Sequence, residues 1–291
     1  MTQIDRIKMT GGVSNSFFHP EVKCDFNVSH NRKMIWAILI DLLKEFNRVC
    51  EKYSLSYYAI CGTLLGAIRH SGFIPWDDDL DVAMPREDYE KLKNLKFEFK
   101  YPYNLVWPEV EAENGYSFIK LRNSETTAIP DAFSHLNIDQ GIFLDIFPLD
   151  DVKSDSYYED QDTIKELLIK NTNNMKLLKS ACADKNAIKT DIVNNFKEIE
   201  EIAQKDNGKG YSEVALRTIS FYSPDHLIWN KEDFLTTIIV RFEETDIRVP
   251  IGWEKVLETT YGDWRTMPPV EERGKWHSNA KFDPCISYKK Y

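Results

Sequence analysis

Between Asp77 and Asp81 four of five residues are aspartate, in the run Trp76-Asp-Asp-Asp-Leu-Asp-Val-Ala-Met84, and no other feature restricts the fold so sharply. Aspartate is a poor strand former, and crowded like charges cost stability unless a cation or hydrogen bonds compensate. Yet Leu80, Val82 and Met84 alternate with other positions as on a strand with one buried face, and Pro85 stops the run. Alternation predicts a strand that puts Asp79 and Asp81 on one face and Asp78 on the other. Two same-face carboxylates make a hard oxygen site suited to Mg²⁺ or Mn²⁺. The competing readings are an acidic, solvated loop that caps a helix, and a calcium-binding EF-hand with Asp77, Asp79 and Asp81 as its first ligands. The EF-hand fails in detail: Val82 stands where glycine is required and Asp88 where glutamate is expected.

Around this run the pattern predicts a mixed architecture. A helix capped by Ser29 carries Ile35, Ile38, Leu39, Leu42, Leu43, Phe46 and Val49 at helical spacing up to about Tyr53. A short buried strand over Tyr57 to Cys61, a Gly62-Thr63 turn and a short helix from Leu64 to His70 follow. Arg86 to Phe97 reads as a helix, and Tyr116 to Arg122 and Gly141 to Phe147 as strands. From Tyr157 to Ala203 glycine and proline are absent and aliphatic residues recur at three and four, predicting two or three helices. A strand from Phe234 to Phe242, a helix over Trp253 to Tyr261 opened by Pro250 and closed by Gly262, and an irregular tail after Thr266 complete the reading. The fold class is α/β (α+β): a mixed-sheet core over residues 30–150, with a helical elaboration and C-terminal segment over 151–291 that complete the same domain.

Composition narrows the partners. With 37 Lys plus Arg against 47 Asp plus Glu the net charge is −10, which disfavours nucleic acid, whose binding rests on neutralising many phosphates. A small phosphorylated ligand bridged by a metal stays open. The most apolar stretch, Met34 to Phe46, contains Asp41 and Lys44 and falls short of the ~20 residues of a transmembrane helix. The N-terminus lacks the layout of a signal peptide, and five cysteines without CxxC spacing suit free thiols, so the expected location is cytoplasmic.

A Gly-Thr turn that opens a helix exposes amides and a hydroxyl where a phosphate can bind. Coupled to the later Asp-x-Asp run, this layout resembles the nucleotidyltransferase fold. Gly62-Thr-Leu-Leu-Gly-Ala-Ile-Arg-His and Phe73-Ile-Pro-Trp-Asp-Asp-Asp-Leu-Asp resemble the signature of the LicD family, the phosphocholine transferases and their fukutin-type relatives. Lys120-Leu-Arg-Asn-Ser-Glu-Thr, Gly141-Ile-Phe-Leu-Asp-Ile-Phe-Pro-Leu-Asp and Tyr261-Gly-Asp-Trp-Arg-Thr-Met-Pro-Pro resemble its later motifs, in order, over about residues 35 to 277.

The resemblance implies that Asp79 and Asp81 bind a catalytic Mg²⁺ (or Mn²⁺) and that Asp145 is the third acidic residue, either a further metal ligand or a general base. Asp145 also stands out without it, as a lone charge among Ile142, Phe143, Leu144, Ile146 and Phe147 that needs a partner if buried. Its alternative is a strand end in water. Gly62, Thr63, Arg69, Trp76, Lys120, Arg122 and His277 form the expected substrate-binding set. Lys120 and Arg122 share one strand face, although surface ion pairing is the commoner fate of a single Lys or Arg. Trp76 reads more readily as packing than as base stacking, and His70 as a structural residue. The C-terminal segment carries Arg265, Arg273, Lys275 and His277, which suits either a flap over an anionic ligand or a seal on the core.

The activity implied is transfer of a phosphorylated head group, phosphocholine first among them, from a CDP-linked donor to a hydroxyl of a glycan or lipid-linked glycan acceptor, releasing CMP. The acceptor would be a lipopolysaccharide, teichoic acid or capsular polysaccharide precursor, and the enzyme would associate peripherally with the inner membrane face. A conventional nucleotidyltransferase that releases pyrophosphate, and a catalytically silent glycan-binding relative, are the alternatives.

Overall fold

The computed structural model describes residues 12–180, 183–219, 223–275 and 280–291. A small hairpin, β1 (Glu21–Lys23) with β2 (Phe26–Val28), leads into the first helix, α1 (His30–Tyr53). Ser29 caps α1 as expected, its Oγ accepting the Arg32 N–H at 3.2 Å, a contact worth about 1 kcal/mol. The predicted stripe Ile35, Ile38, Leu39, Leu42, Leu43, Phe46 and Val49 is buried. At roughly 1.5–3 kcal/mol for each fully buried aliphatic side chain, that stripe holds α1 against the sheet.

The strands that follow are β3 (Tyr58–Ala59), β4 (Asp81–Pro85), β5 (Tyr103–Val106), β6 (Ile119–Asn123), β7 (Thr127–Pro130), β8 (Ile142–Val152), β9 (Glu213–Ala215) and β10 (Ile228–Asn230). The last three elements of sheet are β11 (Thr237–Phe242), β12 (Thr245–Pro250) and β13 (Ala280–Asp283). Seven of these strands form the central sheet, in the order β10-β9-β8-β4-β3 with β6 also on β8 and β5 on β6. It is a mixed sheet, because β4 and β8 run parallel while β6 and β9 pair with β8 antiparallel. β8 is long enough to offer one edge twice: residues 142–146 pair with β6 and residues 150–152 with β9. Helix α2 (Cys61–His70) links β3 towards β4, α3 (Arg86–Lys93) follows β4, and α4 (Ser154–Leu177) and α5 (Lys185–Gln204) pack on one another. These two helices, with Ile164, Met175, Ile192, Phe196 and Ile199, enclose a smaller core of their own. Helix α6 (Trp253–Tyr261) ends at Gly262, whose φ of +65° favours glycine. No helix among the described residues is long and apolar enough to cross a membrane.

The α+β expectation holds, and several boundaries move. The strand expected over Tyr57 to Cys61 shortens to Tyr58–Ala59, because Cys61 takes φ +48° and turns the chain into α2. The expected Gly62-Thr63 turn is therefore the first turn of α2. The Arg86 helix ends at Lys93, four residues before the predicted Phe97. Pro250 opens no helix: it is the last residue of β12, where a missing N–H is tolerated, and Gly252 precedes α6. The tail contains β13, paired with β7.

Candidate active site

Three strands each place one chemically distinctive side chain at the same level of the sheet. Asp81 on β4 lies opposite Asp145 on β8, and Lys120 on β6 lies opposite Asp145 from the other side. Residues in register share a face, so Asp81, Asp145 and Lys120 form a row across β4, β8 and β6. Lys120 Nζ donates to Asp145 Oδ1 at 2.5 Å, with Lys120 only 1% exposed. The same ammonium lies 3.6 Å from the ring centroid of Phe143 and 3.9 Å from that of Tyr116, an arrangement that replaces part of its lost hydration. Burial pushes both partners towards their neutral forms, against the attraction of the pair: Lys120 is lowered and Asp145 raised.

The acidic run joins this row. Burial, and then the charges of Asp79 and Asp145, hold Asp81 well above the usual carboxylate range; burial, then Asp79 and Asp78, do the same to Asp77. Asp79 corrects the strand expectation. β4 begins at Asp81, and residues 77–80 are irregular; at the start of the run the backbone carbonyls are held from outside the sheet. The Asp77 carbonyl accepts from Arg32 Nη1 at 2.7 Å and from Trp36 Nε1 at 2.8 Å, and Arg32 Nη1 also reaches the Trp76 carbonyl at 3.1 Å. The proximity of Asp79 to Asp81 thus comes from a loop held by α1 and not from strand alternation.

This donor set consists of hard oxygens, and burial followed by mutual repulsion raises Asp77 and Asp81 among them, so it fits a hard divalent cation. Among the described residues no three His, Cys, Asp or Glu side chains are gathered into a cage that would hold a metal ion alone. Mg²⁺ does not need such a cage, since it commonly takes one or two carboxylates and fills its remaining positions with water and substrate phosphates.

Gly62 and Thr63 serve the loop from beneath. A Cβ on Gly62 would come within 2.8 Å of Asp77 Oδ2, so glycine there makes room for the acidic run. The Thr63 hydroxyl, expected to face a phosphate, accepts the backbone N–H of Asp81 at 2.8 Å and ties α2 to the start of β4. Thr63→Val leaves that N–H without its acceptor and is expected to cost about 1–3 kcal/mol in urea denaturation, whereas Thr63→Ser keeps the bond and most of the stability.

The other expected binding residues divide. Arg122 shares its face with Lys120 as predicted: its guanidinium lies 5.1 Å from the Phe143 centroid and donates to the Gly141 carbonyl at 2.9 Å. Arg69 donates to the Trp264 carbonyl at 2.9 Å and, through Nε, to His70 Nε2 at 3.0 Å. Burial, reinforced by Arg69, pushes His70 down to about 4, so near neutral pH it accepts that bond uncharged. Trp76 is a packing residue, edge-on to Phe26 at 5.9 Å with the Arg273 guanidinium 5.2 Å from its ring. His277 lies outside the described residues.

Among the described residues, the C-terminal segment is packed against the rest of the fold, the arrangement a seal requires. Trp264 is 7% exposed, Arg265 pairs with Glu254 and with Glu258 on α6, and Arg273 donates to the Cys24 carbonyl at 2.7 Å. Truncation after Thr266 removes β13 from β7 and Arg273 from Trp76. The expected result is a lower melting temperature with aggregation, followed by scanning calorimetry and light scattering. A lid would instead leave the melting temperature unchanged.

Sequence reasoning missed Arg32 and Trp36. Their only signal is i, i+4 spacing in the first turns of α1, which no local pattern connects to the acidic run.

Parts of this sequence are similar to known proteins. Residues 54–189 match the profile of the LicD/FKTN/FKRP nucleotidyltransferase domain. The chain is 28% identical over 265 residues to the lipopolysaccharide cholinephosphotransferase LicD of Haemophilus influenzae, a similarity spanning 84% of this chain and 95% of that protein. A stretch of 62 residues is 40% identical to uncharacterized proteins of Rickettsia prowazekii and Rickettsia typhi, covering 21% of this chain and 23% and 20% of theirs.

Proposed function

We propose that this chain, residues 54–189 of which match the LicD/FKTN/FKRP nucleotidyltransferase domain, is a LicD-type transferase that moves phosphocholine from a CDP-linked donor to a hydroxyl of a cell-surface glycan precursor, releasing CMP. The observation that carries this reading is the row Asp81–Asp145–Lys120 beside the acidic loop, within the segment that matches the family profile. The resemblance to a lipopolysaccharide cholinephosphotransferase over nearly that enzyme's whole length supplies the head group and the class of acceptor.

Asp79 and Asp81 would hold Mg²⁺, which when bound offsets the negative charge of the donor diphosphate. Asp145 is raised by burial and kept in place by Lys120, so it is suited to accept the proton of the acceptor hydroxyl on its carboxylate. The freed oxygen attacks the phosphorus that bears choline, the bond from that phosphorus to the bridging oxygen breaks, and CMP leaves with the electron pair. Lys120 remains paired with Asp145 throughout, so its charge orients the base instead of gripping a phosphate directly.

The test is incubation with CDP-choline, Mg²⁺ and a lipopolysaccharide acceptor. Release of CMP and an acceptor heavier by phosphocholine in the mass spectrum are expected. Pyrophosphate release would mark a conventional nucleotidyltransferase, and acceptor binding without turnover a silent relative. CDP-ribitol and CDP-glycerol in the same assay read the head-group preference.

A further inference from the structure

We propose that Arg32 and Trp36 are positioning residues for the metal-binding loop, a clamp on α1 that holds the backbone of residues 76–78 in the shape that brings Asp79 to Asp81. This rests on the assignment of Asp79 and Asp81 as metal ligands. Two side chains from successive turns of one helix converge on a single acceptor: Arg32 Nη1 at 2.7 Å and Trp36 Nε1 at 2.8 Å both donate to the Asp77 carbonyl. Arg32 Nη1 also donates to the Trp76 carbonyl at 3.1 Å and lies 3.5 Å from Asp78 Oδ2. One guanidinium nitrogen thus reaches three consecutive residues of the run.

The physical need for such a clamp is plain. Residues 77–80 have no strand pairing on their own account until Leu80, whose carbonyl accepts the Asp145 N–H at 2.9 Å. Asp77, Asp78, Asp79 and Asp81 carry like charges in close sequence, and without an external tether their repulsion would open the loop. The donors that oppose it are rigidly mounted. Trp36 is fully buried and stacks on Phe73 at 4.9 Å with the rings 13° from parallel. The Arg32 N–H is the one that the Ser29 hydroxyl caps, and the Arg32 guanidinium lies 5.8 Å from the Phe26 ring centroid. Both clamp residues precede residue 54, where the match to the family domain begins, so the metal loop depends on a helix outside that segment. Ligating groups are effective when the groups around them fix their orientation, and loss of such support commonly costs about 10–100-fold in metal affinity.

Two variants test the clamp. Trp36→Phe keeps an aromatic ring beside Phe73 and deletes the Nε1 donor together with part of the indole's buried volume, a loss that the melting temperature reads separately; Arg32→Met keeps the aliphatic stem and deletes the guanidinium. Hydrogen exchange on the metal-free protein reads the loop directly, and Mn²⁺ titration by calorimetry, without donor, reads the ligands. The expected result is faster exchange confined to residues 76–81, Mn²⁺ affinity lower by about tenfold in Arg32→Met and less in Trp36→Phe, and partial recovery in Arg32→Lys. A residue that merely stabilises α1 would lower the melting temperature and leave Mn²⁺ affinity per folded molecule unchanged. That outcome, or unchanged exchange at 76–81 in both variants, overturns the clamp. Asp79→Asn in the same titration separates the two ideas: if it binds Mn²⁺ as wild type does, the ligand assignment fails, whereas the exchange result stands or falls alone.

Discussion

Asp81→Asn is expected to lower turnover by on the order of a thousandfold while leaving the protein folded and, without metal, more stable. The amide keeps the shape of the carboxylate and loses the charge that would hold a divalent cation. Packing and the charges of Asp79 and Asp145 already raise Asp81, so its ionised form opposes folding when no cation is present. Relieving one member of that crowd should lift the melting temperature of the EDTA-treated protein by about 2–4 °C. Calorimetry and CMP release at saturating Mg²⁺ measure the two effects. Near-wild-type turnover would remove Asp81 from the metal site.

Lys120→Met should be the most destabilising single change at the site. Lys120 is buried on Asp145 at 2.5 Å, and its loss strands a buried carboxylate, at a cost on the order of 3–5 kcal/mol. Lys120→Arg, a bulkier fork in a space lined by Tyr116 and Phe143, should recover only part of that. The pH dependence has a definite sign. Asp145 is already raised by burial in the presence of Lys120, and without its partner it rises further. A carboxyl raised above its unfolded value, about 3.9, favours the folded state below that pH and ceases to do so as pH climbs through the folded value. The deficit of Lys120→Met against wild type should therefore be largest at neutral pH and shrink towards pH 4. Adding Asp145→Asn to Lys120→Met should restore much of the neutral-pH stability. A neutral-pH deficit that the second substitution leaves untouched would show that the ammonium acts elsewhere.

Much of this was legible in the sequence because the signals were local. The spacing of Ile35 to Val49 with the Ser29 cap located α1, and the lone charge of Asp145 among Ile142 to Phe147 marked a residue in need of a partner. Lys120 and Arg122 were placed on one face by alternation alone, and both lie against Phe143. What could not be read was register. Nothing in residues 81, 120 and 145 says that they stand abreast, because the pairing of β4, β8 and β6 is non-local. The Gly62-Thr63 pair misled for a related reason: its turn chemistry is real, but the bond from the Asp81 N–H to Thr63 Oγ1 draws it into a helix. Arg32 and Trp36 were invisible because a carbonyl as acceptor leaves no mark in composition or pattern.

The eleven residues of β8 also decide how this protein can be taken apart. Asp145 lies where β8 is flanked by β4 and β6, and five to seven residues further on the same strand hands its edge to β9. Arg86 on α3 reaches across to Asp150 at 2.7 Å and Glu200 on α5 at 2.7 Å, so the far end of the strand is anchored to the helical region as well. A fragment that stopped near residue 150 would end in mid-strand, expose an unpaired edge and strand the buried Arg86. The candidate active site therefore has no excisable minimal form in this chain. A fragment trimmed to the catalytic motifs should be recovered from inclusion bodies, and a useful one must retain the helical pair and the β9–β10 hairpin.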